Sequence, residues 1–235
     1  MQNTINCPHC GASLKAREWY IGGKPVFGGY ESCQCEGARA ERAVLEREEA
    51  AMRLAENMRR EREAIRKAGI MPRFENAEHP MAQECADDML AGRNLYIFGD
   101  VGTLKTHLAS ATARILVKQG CNVKFSAMWK VLDAIKAGFK DGTDPLPAYQ
   151  GCKFLVLDDF GKESPTDFAL ERMFALIDER SARMLPTCVT TQYRPGQLIE
   201  RLAKNGDKDT AIAIVSRLRQ DCRTIELEGR DRRLG

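Results

Sequence analysis

The chain has 235 residues, with 36 lysines and arginines against 33 aspartates and glutamates, for a formal charge of +3. That length accommodates one large α/β domain plus a small appendage, and that charge is too mild to announce a nucleic-acid protein without local basic patches. No apolar run approaches the roughly 18–20 residues that span a bilayer, and the start, MQNTINCPHC, lacks a secretory apolar region. The expectation is a cytoplasmic protein with no membrane partner.

Four of the nine cysteines cluster near the N-terminus and five are scattered singly, a distribution that favours a metal site plus buried thiols over a disulfide framework. Cys7-Pro8-His9-Cys10 is followed, after a turn-rich stretch with Gly22-Gly23, Pro25 and Gly28-Gly29, by Cys33-Gln34-Cys35. Four thiolates in two close pairs suit tetrahedral Zn²⁺, and the first pair has the knuckle spacing of zinc ribbons; the second is tighter than usual. His9 is an alternative but inferior ligand, and reduced thiols without metal are the other reading. Residues 1–35 are too poor in aliphatic side chains to fold without such a staple, so they are predicted to be a zinc-binding module held by Cys7, Cys10, Cys33 and Cys35.

From Glu36 the composition turns to Ala, Glu, Arg, Met and Leu, which predicts a connecting helix over 36–69 that Gly69 stops. Its apolar positions are mostly small, giving a narrow sticky stripe on a solvated helix; a coiled coil is the alternative. Arg59, Arg60, Arg62, Arg66 and Lys67 cluster at its end, and Arg217, Arg219, Arg223, Arg230, Arg232 and Arg233 crowd the C-terminal region. Many have glutamates nearby, so a solvated face explains them as well as a nucleic-acid surface does. The segment MPRFENAEHP, residues 71–80, has two prolines and no periodicity and reads as a lead-in to the next domain.

After Asn94 short apolar runs alternate with amphipathic stretches. NLYIFG, NVKFSA, KFLVLDD, PTCVTTQ and RTIELEG read as strands, with helices such as THLASATARILVKQ and DFALERMFALIDERSAR between them. The predicted fold class is α/β: a five-stranded, mainly parallel sheet flanked by helices, binding its ligand at the carboxyl ends of the strands.

The first of these strands runs into Gly99-Asp100-Val101-Gly102-Thr103-Leu104-Lys105-Thr106, and His107 continues into a helix. Strand, glycine-bearing loop, Lys-Thr and helix is the context that makes a P-loop: inward N–H groups and a helix N-terminus favour phosphate. Lys105 is assigned to the β and γ phosphates of ATP, and the Thr106 hydroxyl to Mg²⁺. An ordinary βα turn with a chance Lys-Thr is the alternative. Leu104 stands where the pattern asks for glycine, whose freedom lets the backbone approach the phosphates. Natural decay of the site and a substitution made to weaken it both account for it, and either predicts reduced nucleotide affinity or hydrolysis. Downstream, Phe154-Leu155-Val156-Leu157-Asp158-Asp159 is an apolar strand ending in two carboxylates, so Asp158 is assigned to the magnesium and Asp159 to polarising a water.

GDVGTLKTHLA, FLVLDDFGKE, LPTCVTTQY and VSRLRQDCRTIELEGRDRR, in that order, resemble the DnaC/DnaI-type replicative helicase loaders and their IstB-like relatives among the AAA+ ATPases. The resemblance covers roughly residues 70–235. It implies a sensor role for Gln192, where relatives often carry asparagine, although a strand-end polar cluster would look the same. It further implies that Arg217 enters a neighbouring subunit's site, that the chain forms a homo-oligomer when bound to nucleotide or helicase, and that its partners are a DnaB-type replicative helicase and single-stranded DNA. Glu163 and residues 229–233 match the same pattern and receive no catalytic role. The DnaI-like branch also carries an N-terminal zinc module that contacts the helicase, with a different cysteine spacing. An IstB-like transposition helper and a non-catalytic adaptor that keeps the fold are the competing readings.

Overall fold

The computed structural model describes residues 5–205 and 207–229, so Arg230, Arg232 and Arg233 lie outside the described residues. The chain divides into two compact units, Met1–Arg60 and Glu61–Gly235.

The first unit contains strands, although its sequence reads as turns. β1 (Ile5–Asn6) pairs antiparallel with β2 (Ser13–Leu14), and β3 (Ala16–Ile21) with β4 (Lys24–Tyr30). The β3–β4 turn is Gly22-Gly23, at φ 61° and 78°, the left-handed pair that a two-residue hairpin demands. Gly28 is required because the Trp19 ring lies over it, with its Cδ1 only 1.6 Å from where a Cβ would stand. Trp19, Tyr20 and Phe27 remain largely exposed, which explains why no alternation of buried and polar residues announces these strands.

α1 (Glu36–Lys67) begins one residue after Cys35. It is polar nearly all round and carries spaced ion pairs: Glu49 with Arg53, Glu56 with both Arg59 and Arg60, and Glu63 with Lys67. Arg59 and Arg60 hold the Glu56 carboxyl down at about 2, and Arg66 pairs with Glu75, so much of this basic cluster is neutralised within the chain.

The second unit is built on five parallel strands: β5 (Asn94–Phe98), β6 (Val123–Ala127), β7 (Phe154–Asp158), β8 (Thr187–Thr191) and β9 (Cys222–Glu226). Their order is β6-β7-β8-β5-β9, and the neighbours β5 and β8 send their following helices to opposite faces, which is where a doubly wound sheet opens a crevice. Alternate residues feed two cores. Leu95, Ile97, Phe154, Val156 and Cys188 face α2 (Ala82–Leu90) and α3 (Lys105–Lys118). Tyr96, Phe98, Leu155, Leu157 and Val189 face the other side, formed by α4 (Met128–Asp141), α5 (Leu146–Gln150), α6 (Asp167–Ala182), α7 (Pro195–Leu202) and α8 (Lys208–Arg219). Burial on both faces is why β5 and β7 read as nearly continuous apolar runs.

Arg180 on α6 is only 1% exposed and crosses to the amino end of the sheet. It donates to Thr187 Oγ1 at 2.9 Å, to the carbonyls of Tyr149 and Cys152 at 2.9 and 2.8 Å, and to that of Pro186 at 2.7 Å. Its charge is therefore met by aligned dipoles, and burial pulls its pKa down.

Candidate functional site: a nucleotide cleft and a cysteine cluster

A cleft of about 320 Å³ opens at the carboxyl ends of the strands, lined by residues 101–107 together with Arg73, Phe74, Asp159, Lys162 and Gln192. The loop from Gly99 to Leu104 forms its floor. Gly99, at φ 148°, turns so close to the Leu227 carbonyl that a Cβ would stand 2.1 Å from that oxygen, so only glycine fits. Thr103 donates its hydroxyl to the Asp100 carbonyl at 2.8 Å and closes the turn. Leu104 sits at the N-cap of α3 with φ 65° and ψ 20°. A left-handed leucine costs roughly 1–2 kcal/mol, the physical reason a glycine is expected there.

Lys105 is buried, and its ammonium donates to the carbonyls of Gly99 at 2.8 Å and Asp100. Thr106 donates its hydroxyl to Asp158 Oδ1 at 2.9 Å. This places a hydroxyl and a buried carboxylate side by side at the mouth of the phosphate loop, an oxygen pair that fits a hard cation such as Mg²⁺. Burial raises the Asp158 pKa, while the Thr190 and Thr106 hydroxyls oppose that shift. His107 faces the lead-in segment: its Nε2 is 2.9 Å from the Glu78 carbonyl, and its ring meets Phe74 edge-on at 6.0 Å.

Asp159 follows at φ 56° and pairs with Lys162 at 2.7 Å. Gln192, just past β8, lines the same cleft. The structure thus gathers Val101 to His107, Asp159 and Gln192 around one volume, with Gly99, Asp100 and Asp158 bonded to its lining. Arg217 lies elsewhere. It pairs with Asp178 of α6 at 2.6 Å and its guanidinium stands 5.0 Å from the centre of the Phe174 ring, on the α6–α8 face and not in its own chain's cleft.

Sequence reasoning missed Thr190. It is fully buried, donates to Asp158 Oδ1 at 2.5 Å, and accepts the Asp159 N–H at 3.0 Å, so one hydroxyl ties the two acidic positions to β8. In sequence it is one of several β-branched strand residues, and no local signal sets it apart. Arg73 and Phe74 were also missed, because a short 3-10 turn, Pro72–Phe74, has no periodicity. Arg73 stacks over Phe74 at 4.7 Å and gives the cleft a flat, apolar wall.

In the first unit Cys7, Cys10, Cys33 and Cys35 bring their sulfur atoms within 4.8 Å of one another, the group among the described residues that could hold a metal ion. Cys7 to Cys35 is 3.8 Å and Cys10 to Cys33 is 3.4 Å. Zinc–sulfur bonds of about 2.3 Å in a tetrahedron put sulfurs about 3.8 Å apart, so the cluster fits Zn²⁺. The knuckle is preformed by the Cys7 N–H to the Ala12 carbonyl at 2.8 Å and the Gly11 N–H to the Cys7 carbonyl at 2.9 Å. The His9 backbone N–H draws the Cys7 thiol down to about 6. His9 does not join the cluster: its Nε2 lies 2.8 Å from Glu41 Oε2, and its ring packs where a Gly37 side chain would go.

Comparison with known proteins agrees with this geometry. The model of the IstB-like ATP-binding protein family matches residues 84–235. An ATP-binding protein of an insertion sequence in Mycobacterium tuberculosis is 27% identical over 107 residues, 45% of this chain and 43% of that protein. The replicative helicase loader DnaI of Bacillus subtilis is 25% identical over 149 residues, 60% of this chain and 48% of that protein. The chain therefore spans about half the length of these relatives. Among solved structures, a DnaI crystal structure superposes with a TM-score of 0.55 at 26% identity, covering 63% of this chain and 83% of that one. The DnaC helicase loader superposes at 0.53 with 24% identity, covering 67% of this chain and 100% of that one, a likeness of fold. The phosphate loop, the acidic strand end and the five-stranded sheet all lie within the matched span, and the chain belongs to the IstB-like ATP-binding protein family.

Proposed function

We propose that the chain is a helicase loader: an ATP-dependent replication protein that binds a DnaB-type replicative helicase and assists its placement on single-stranded DNA. The observation that supports this most is the presence, in one chain, of a cleft lined by the Val101–His107 loop and Asp159 and of a four-cysteine cluster in another unit. The similarity to the Bacillus subtilis loader points the same way. In this reading the loop N–H groups and Lys105 hold the ATP phosphates, Thr106 and Asp158 hold Mg²⁺, and Gln192 and Asp159 orient the attacking water. Bound Mg²⁺ supplies neutralising charge to the phosphates. Arg217, outside its own cleft, reads the nucleotide of a neighbouring copy, so ATP acts as a switch between subunits in a homo-oligomer. The cysteine unit, holding Zn²⁺, docks on the helicase.

The test is co-purification of the full chain with a replicative helicase, with and without ATP. Recovery of the helicase supports the assignment, and its absence in both conditions ends it. A second reading, a transposition helper, is favoured by the likeness to the insertion-sequence protein. Capture of a transposase in the same assay, with no helicase, would establish it instead.

A further inference from the structure

The turn after β7 passes twice through left-handed backbone. Asp159 and Gly161 occupy left-handed backbone at φ 56° and 91°, a region that glycine enters freely and aspartate tolerates better than most residues. One set of restraints comes from β8. Thr190 Oγ1 accepts the Asp159 N–H, the Thr190 carbonyl accepts the Phe160 N–H at 2.8 Å, and the Thr191 hydroxyl donates to the Phe160 carbonyl at 2.7 Å. These fix the start of the turn; at its far end the Lys162 N–H reaches back to the Asp159 carbonyl at 3.2 Å.

Two side chains with no assigned chemistry fix that end. The buried Glu163 carboxylate accepts the Gly161 N–H through both oxygens, at 3.0 and 3.2 Å. Arg201, in the last turn of α7, donates Nε to the Gly161 carbonyl at 3.0 Å and a terminal nitrogen to the Glu163 carbonyl at 2.9 Å. Leu198 of α7 and Tyr193 close over Gly161 so tightly that a Cβ there would stand 2.8 and 3.1 Å from them. Both side chains direct these bonds to backbone groups of the turn. What the pair supplies is directional restraint on three peptide groups close to Asp159, those of the 160–161, 161–162 and 163–164 bonds. Because α7 packs on α8, the same restraint joins the turn to the helix that carries Arg217.

We propose that Glu163 and Arg201 are positioning residues for phosphoryl transfer: they clasp the turn so that Asp159 faces the terminal phosphate, and they make that turn and the α7–α8 pair one mechanical piece. This rests on the ATP-binding reading above. Preorganisation of this kind acts on the transition state and leaves ground-state binding alone, and small misplacements of a reacting group carry large rate penalties.

The test measures Mg²⁺–ADP affinity and Mg²⁺–ADP–aluminium fluoride affinity on the full chain, with ATP turnover alongside, for Arg201→Ala, Glu163→Ala and Glu163→Gln. Both alanine variants are expected to weaken the aluminium fluoride complex about tenfold or more while ADP affinity stays within about twofold. Glu163→Gln, which keeps an acceptor for the Gly161 N–H, is expected to restore most of the loss. Arg201→Lys, which keeps one donor, replaces Arg201→Ala if the latter fails to fold, and is expected to fall between parent and Glu163→Ala. Equal weakening of both complexes, or weakening of neither, overturns the clasp. Failure of the unsubstituted chain to bind Mg²⁺–ADP overturns the nucleotide reading itself, and this inference with it.

Discussion

The two units of this chain solve the problem of folding by opposite means. The α/β unit buries both faces of its central strands β5, β7 and β8, which are stable because almost every side chain on them is out of water. The cysteine unit has two two-stranded sheets whose residues are mostly exposed, and such hairpins are marginal alone. Four sulfurs within 4.8 Å take the place of a core.

That contrast sets the largest expected effect. Cys10→Ser, or chelation of the full chain, removes metal binding of roughly 10–16 kcal/mol from a segment with no core to replace it. Amide exchange over residues 5–35 should accelerate by more than about 100-fold while β5 and β7 keep their protection. Concerted loss in both units would break the comparison. Next, Lys105→Ala should lower ATP affinity about 100-fold, measured by titration calorimetry, with the cysteine unit's zinc content unchanged. Third, Leu104→Gly should raise ATP affinity about tenfold with a thermal midpoint within about 2 °C of the parent. Relief of roughly 1–2 kcal/mol of left-handed strain is offset by the roughly 0.5–1 kcal/mol that glycine's freedom costs. Unchanged affinity there would mean that Leu104 does not limit binding. Fourth, Thr190→Val removes the hydroxyl shared by Asp158 and Asp159; a loss of about 1 kcal/mol lowers the thermal midpoint by about 2–4 °C.

The smallest effect is a pH dependence. Burial lifts the Glu163 carboxyl above its usual range and Asp159 adds to this, while the Gly161 N–H and Arg201 oppose it. Between the ordinary carboxylate pKa of about 4.3 and the raised folded value, the folded protein holds a proton that the unfolded chain has lost. Stability from this group therefore falls as pH rises through that window. Glutamine does not titrate, so the thermal midpoint of Glu163→Gln minus that of the parent should grow by about 1–3 °C from pH 4 to pH 7.5. A difference that shrinks over that range would show the sign to be wrong.

What the sequence discloses differs between the units for the same reason. Residues 94–98 and 154–158 could be read as strands because burial on two faces writes an apolar run, and the phosphate loop because its spacing is dictated by backbone geometry. The hairpin at Gly22-Gly23 escaped notice because its strands bury nothing, so neither period appears in them. Thr190 and Arg201 were illegible because their importance lies in partners more than 30 residues away, at Asp158 and Gly161. The lead-in segment concealed Arg73 and Phe74 because a single 3-10 turn is too short to show a pattern.

Arg180 has a consequence for how the sheet is assembled. Its bonds reach Pro186 and Thr187 at the entry to β8 and Tyr149 and Cys152 just before β7, so they are satisfied together only in one alignment of those neighbours. A slip of β8 by one residue would turn the Pro186 carbonyl away and strand a cation in an apolar interior, a far heavier penalty than misplacing a valine. The guanidinium thus ties the entries of β7 and β8 together in the observed register. The carboxyl ends of the same two strands, where Asp158 meets Thr190, receive their spacing from a measurement made at the opposite edge of the sheet.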